Sequence, residues 1–140
     1  MDDPFDVLER PHHTRGSASM PKPEREFFDV SVVGWTACAG TVSGLTERIL
    51  AADEEAGVAT RILRFSPGTD TTPNGVQNHD FWEEVYILEG SLTDLTLGET
   101  FTTGMYACRP PGMTHGPWVS PGGCVMFEAR YRSAPGGSDV

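Results

Sequence analysis

Positive charge and cysteine are both scarce in this chain, and no apolar run is long. Ten Lys and Arg stand against twenty Asp and Glu, a formal charge of −10. Such a surface repels nucleic acid and anionic membranes, so neither is expected as a partner. The cysteines, Cys38, Cys108 and Cys124, are odd in number and show no CxxC spacing. That argues against a disulfide framework or a cysteine-held zinc and fits a reducing compartment, so a cytoplasmic location is expected. No apolar run approaches the roughly 20 residues of a membrane span. The opening stretch MDDPFDVLER is acidic and lacks the apolar centre of a secretory signal. No internal repeat is visible.

What the chain does have is turn-forming residues. Its 140 residues suit one domain, and 16 Gly with 11 Pro favour short strands over long helices. Residues 1–25, rich in Pro, Ser and charge, read as a flexible arm; the adjacent His12 and His13 fall there and are expected to be inert. Residues 26–132 read as a single domain and residues 133–140 as a loose tail. LTERILAADEEAGVATRILRF predicts two antiparallel strands joined by a turn at DEEAG, and SPGTDTTPNG predicts loop. EEVYILEGSLTDLTL predicts a strand, a tight turn at Glu89–Gly90 and a second strand; CVMFEARYR predicts the last. Short strands at even spacing with turn signals between them indicate an all-β barrel or sandwich.

Charge is also uneven along the chain. No Lys or Arg occurs between Arg64 and Arg109, while that window holds Asp70, Asp80, Glu83, Glu84, Glu89, Asp94 and Glu99. It reads either as a solvated acidic face or as a local field that attracts a cation. Within it, His79 is followed four residues later by Glu83, and six residues lie between Glu83 and Gly90. Further on, five residues separate Gly104 from Pro110–Gly112, and two more precede His115.

These two segments resemble the motifs of the cupin superfamily, G-x5-H-x-H-x3/4-E-x6-G followed by G-x5-P-x-G-x2-H-x3-N. The resemblance covers roughly residues 58–131. Glu83–Glu84, Leu88–Gly90, Gly104, Tyr106, Pro110–Gly112, His115 and Gly123–Cys124 look more particularly like the cupin domain of ChrR-type anti-sigma factors and the diketone-cleaving dioxygenases related to it. The resemblance implies a double-stranded β-helix, the cupin jelly-roll barrel. A sigma-binding role would need a further helical domain, for which this length leaves no room, so that role is not expected. The physical reason for the motif is independent of the name. Residues four apart on a strand share a face, so His79 and Glu83 can both point into a barrel. The Pro-Pro-Gly corner lets His115 join them from a neighbouring strand. Two imidazoles and a carboxylate with open positions form the facial arrangement of non-haem Fe(II) enzymes; Zn, Mn or Ni could also occupy it.

The chain departs from the motif at Gln77, where a first histidine is usual, and at Val119, where Asn is usual. Gln77 could be a fourth ligand, a group behind the ligands, or the mark of a lost site. Glu84 should point away from Glu83, to the surface or to a second subunit, unless a β-bulge swaps the two. Asp80 is either an acceptor for a ligand histidine or an exposed loop acid. Cys124, Met126, Glu128 and Arg130 share one face of the last strand. Glu128 and Arg130 are expected there as a solvent-facing pair, with a cavity-lining role as the alternative. Trp82, Tyr86 and Trp118 are expected in packing or in a dimer contact.

The resemblance thus implies a metal-dependent enzyme acting on a small diketone or hydroxyketone-like substrate, an Fe(II) dioxygenase, and a homodimer. The alternatives are a non-redox cyclase, isomerase or lyase, for which Glu84, Glu128 or Tyr86 would serve as base, and a cupin that binds a small ligand without turnover.

Overall fold

A computed structural model describes residues 22–132. The expected arm, except residues 22–25, and the expected tail lie outside the described residues, as do His12 and His13. Eleven strands follow in order: β1 (Thr36–Ala37), β2 (Leu45–Asp53), β3 (Val58–Phe65), β4 (Thr69–Asp70), β5 (Gln77–Asn78), β6 (Trp82–Asp94), β7 (Glu99–Thr102), β8 (Tyr106–Arg109), β9 (Thr114–His115), β10 (Trp118–Ser120) and β11 (Cys124–Tyr131). Nine of them form one sheet in the order β1-β2-β3-β11-β6-β10-β4, with β7 and β8 also paired to β6; β5 and β9 form a separate pair. The architecture is all-β with antiparallel pairing, as the turn-rich composition predicts.

The predicted hairpin 45–65 forms. β2 and β3 pair in antiparallel register, and the Gly57 amide closes the turn on the Glu54 carbonyl at 3.2 Å. Two expectations need correction. The loop 66–75 carries the short strand β4, which pairs with β10. Glu89–Gly90 is not a chain-reversing turn: β6 runs unbroken through it. The reason lies in the ladder. Between the pairs Ile87↔Met126 and Glu89↔Val125, Leu88 is an extra residue on β6, a β-bulge. It reverses the alternation, so Glu83, Val85 and Ile87 are buried before it and Leu92 and Asp94 after it. The first half of β6 pairs with β8 and β11, the second half with β7 and β10. β6 therefore bends from one wall of the barrel into the other.

The inward faces of four strands supply the core: Leu63 and Phe65 from β3, Val85, Ile87 and Leu92 from β6, Trp118 from β10, and Cys124 and Met126 from β11. Burial stabilises side chains of the Leu or Phe kind by about 1.5–3 kcal/mol each. This apolar cluster occupies only part of the interior. Further along the same inward faces stand charged side chains, and they define the site.

Candidate metal centre

The register of the ladder sets one charged row across the barrel. Glu83 on β6 lies opposite Arg130 on β11 and, on its other side, opposite Arg109 on β8. Glu128 on β11 lies opposite Arg61 on β3. All five side chains line a cavity of about 490 Å³. Arg109 donates to Glu83 Oε1 at 2.6 Å, and Arg130 Nε stands 3.8 Å from Oε2. Arg61 donates to Glu128 at 2.9 Å and is also paired with Glu47 of β2. Arg130 completes the network by donating to Glu128.

His79 and His115 meet Glu83 from the β5–β9 side. β9 places His115 directly opposite Gln77 of β5. The Gly112 amide donates to the His79 carbonyl at 2.8 Å, which ties the Pro-Pro-Gly corner to the start of β6. The His79 ring stacks on Phe81 with centroids 4.6 Å apart and lies 5.1 Å from the ring of His115. His79 Nε2 is 3.7 Å from Glu83 Oε2, and His115 Nε2 is 4.0 Å from Glu83 Oε1. His115 Nδ1 stands 3.4 Å from the Met113 carbonyl, so its other nitrogen is the one turned to the carboxylate. Burial lowers the pKa of both imidazoles, and Arg130 beside His79 and Arg109 beside His115 push the same way; together these outweigh the attraction of Glu83. Both rings therefore remain neutral at neutral pH, the form that ligates metals.

Candidate ligand atoms of His79, Glu83 and His115 all lie within 4.8 Å of one another. Metal–ligand bonds of about 2.0–2.2 Å need ligand atoms somewhat closer than this. A small side-chain contraction would close that gap, and the donor set of two neutral imidazoles and one carboxylate suits a divalent cation. The three can hold one. Gln77 lines the same cavity, and its Nε2 donates to the Asn74 carbonyl at 2.8 Å, an orientation that keeps Oε1 as the atom available for other contacts.

The remaining sequence candidates divide between the two faces of the sheet. Glu84 and Tyr86 stand on the outer face of β6, where Glu84 accepts from the Tyr106 hydroxyl and Tyr86 is exposed. They are not brought to the cavity, because the bulge lies beyond Glu83 and leaves the simple alternation intact up to Ile87. Glu128 corrects the expectation of a solvent-facing pair: it is 3% exposed and points inward with Arg130. Burial raises its pKa, but Arg61 and Arg130 outweigh that and hold the carboxyl below its usual range. Asp80 is exposed and pairs with Arg132 at 3.0 Å rather than with a histidine. Trp118 is buried in the core, while Trp82 stacks on Tyr131.

Sequence reasoning missed two of the three inward arginines, Arg61 and Arg109, and expected the third, Arg130, in solvent. The signal for Arg61 was present, since Arg61 shares its strand parity with Leu63 and Phe65. Arg109 had no such signal, because its strand has only four residues. Beyond Arg109 and Trp118 lies a second, mostly apolar cavity of about 360 Å³, lined among others by Ile87, Leu97, Phe101 and Met105; His115, Arg109 and Trp118 border both.

Comparison with known proteins accords with this fold. A family model described as the ChrR cupin-like domain matches residues 23–134. No match is found among curated proteins. Solved structures share the fold. An RmlC-like cupin from Shewanella frigidimarina superposes with a TM-score of 0.61 at 21% identity, covering 81% of this chain and 96% of its own. The polyketide cyclase RemF from Streptomyces resistomycificus gives 0.60 at 23% identity, covering 76% and 80%. An acetylacetone dioxygenase from Acinetobacter johnsonii gives 0.62 at 16% identity, covering 84% and 85%.

Proposed function

The chain belongs to the ChrR cupin-like family, and on that premise we propose that it is a metal-dependent cupin enzyme, an Fe(II) dioxygenase cleaving a small diketone or hydroxyketone-like molecule. The convergence of His79, Glu83 and His115 on one internal cavity carries the reading. A bound divalent cation would supply a Lewis acid for the substrate oxygens and, as iron, a site for oxygen chemistry. The chain's own residues would do the rest. His79, Glu83 and His115 hold the cation, Gln77 contributes from across the β5–β9 pair, and Arg109 keeps the Glu83 carboxylate in place. Zinc, manganese and nickel fit the same donors.

The non-redox reading, a cyclase, isomerase or lyase, needs a side-chain base. Glu84 and Tyr86 face away from the cavity, and Glu128 is tied to two guanidiniums. None of these three candidate bases is free in the cavity, which supports the dioxygenase. Elemental analysis of the purified protein tests the metal, and oxygen uptake by iron-loaded protein with acetylacetone tests the chemistry. We expect a stoichiometric metal that His115→Ala loses, together with its oxygen uptake. Turnover that persists without oxygen and with zinc in place of iron would overturn the dioxygenase in favour of the non-redox reading. A parent protein without metal would point to a binding module.

The same reading takes the chain as a cytoplasmic homodimer. Tyr86, Leu88, Tyr106 and Phe127 are exposed on the outer face of β6, β8 and β11, and a partner barrel would cover them. Sedimentation at micromolar concentration is expected to return the dimer mass; a monomer would refute the pairing.

A further inference from the structure

Resting on the reading of a bound divalent cation, we infer that the substrate carries a carboxylate, and that Arg130 receives it. The charge inventory of the cavity points this way. Glu47 from β2, Glu83 from β6 and Glu128 from β11 face Arg61 from β3, Arg109 from β8 and Arg130 from β11, three negative groups against three positive. Glu54, in the β2–β3 turn, is exposed at the edge and solvated. The interior is balanced before any cation enters. A divalent cation adds two positive charges, and uncompensated charge in a site shielded from water is costly. A keto acid bound through its carboxylate and its enolate oxygen cancels both charges; a diketone, with its single enolate charge, cancels one.

Arg130 is the group built to receive it. Its side chain is 25% exposed, against 12% for Arg61 and 12% for Arg109. Its Nε is spent on Glu128, but among the described residues its two terminal nitrogens carry no hydrogen bond. The guanidinium lies over the Phe81 ring at 4.9 Å, and its Nε stands 3.8 Å from the Glu83 carboxylate. A guanidinium braced on an aromatic face, with free terminal N–H groups, matches the two oxygens of a carboxylate. The substrate class is therefore a small oxo-carboxylate, such as a β-keto acid, with its carboxylate on Arg130 and its keto oxygen turned to His79, Glu83 and His115.

Calorimetric titration of zinc-loaded protein with acetoacetate and with acetylacetone tests this. The two ligands differ in a carboxylate against an acetyl group, and zinc avoids oxidative turnover. Acetoacetate is expected to bind at least ten-fold more tightly to the parent. In Arg130→Gln the ratio should fall to within about two-fold while zinc content is unchanged; Arg130→Lys should keep part of it. Equal binding of the two ligands, binding of neither, or a preference that survives in R130Q overturns the assignment. A parent that takes up no zinc overturns the metal reading instead, and the same titrations of the metal-free protein then decide the role of Arg130.

Discussion

Cys38, Cys108 and Cys124 carry the same thiol in three settings. Burial raises the pKa of Cys124 to about 11, and burial with Glu47 beside it raises that of Cys38 to about 12. Cys108 alone is exposed. Thiolate, not thiol, reacts with alkylating agents. Iodoacetamide at pH 7.5 should therefore modify Cys108 at least ten times faster than the other two, read by peptide mass spectrometry; equal labelling would mean that the barrel opens. Glu128 shows the converse case of a buried acid held ionised. Its folded pKa lies below the ordinary 4.5 because Arg61 and Arg130 prevail over burial. The stability it contributes is thus complete above pH 4.5 and is lost as pH falls through the folded value. Glu128→Gln leaves Arg130 without its nearest acid and should cost about 3 kcal/mol at pH 7, and progressively less as pH falls below 4.5, in urea unfolding. A cost independent of pH would show that packing, not charge, is what the residue provides. Alternation along CVMFEARY was enough to put Glu128 and Arg130 on one face. It could not say which face, because the partner that makes burial tolerable, Arg61, lies 67 residues away.

The element that decides the site is β6. Its first half was legible in part: alternation sets Glu83 and Glu84 on opposite faces, and the six-residue spacing to Gly90 favours Glu83 as the inward one. The bulge at Leu88 was not legible, because it exists only against β11. Gly90 follows the bulge at φ +81°, and a Cβ there would run into the Gly123 carbonyl, which is backbone and cannot turn aside. A non-glycine residue at such a φ costs about 1–3 kcal/mol before any clash. Gly90→Ala should lower stability by more than about 2 kcal/mol in chemical denaturation and weaken metal retention along with it, as β6 shifts relative to β11. A fully stable variant would show that the bend is adaptable. The glycine spacing of the motif thus marks a strand bend between two walls, where the bare sequence reads as a hairpin turn. The short strands β5 and β9 were harder to foresee. Two-residue strands carry no periodicity, yet their pairing sets Gln77 opposite His115.

Across the whole molecule, the formal charge of −10 and the composition of the cavity tell different stories. The acidic window between Arg64 and Arg109 disperses on folding. Asp70, Asp80, Glu89 and Glu99 are exposed, Glu84 lies on the outer face, and Asp94 accepts from the backbone amides of Thr96 and Leu97. Glu83 alone of that group lines the cavity with His79 and His115, so the candidate cation site comes from three-dimensional convergence rather than from the run of acids. Convergence of that kind would link a bound metal to the fold. The candidate ligands come from the segment before β6, from β6 itself and from β9, which unfolding separates. A cation that binds only the folded chain stabilises it by about 2.7 kcal/mol at one hundred times its Kd. For a domain of this size that corresponds to a rise in Tm of roughly 10 °C. Scanning calorimetry with zinc should show that rise in the parent, its reversal by chelator, and its absence in His115→Ala. Gln77→Ala decides the remaining ligand. If its side-chain oxygen reaches the cation, the rise should shrink by several degrees; if the amide only braces the Asn74 carbonyl, the metal-free Tm should fall while the zinc-dependent rise is preserved.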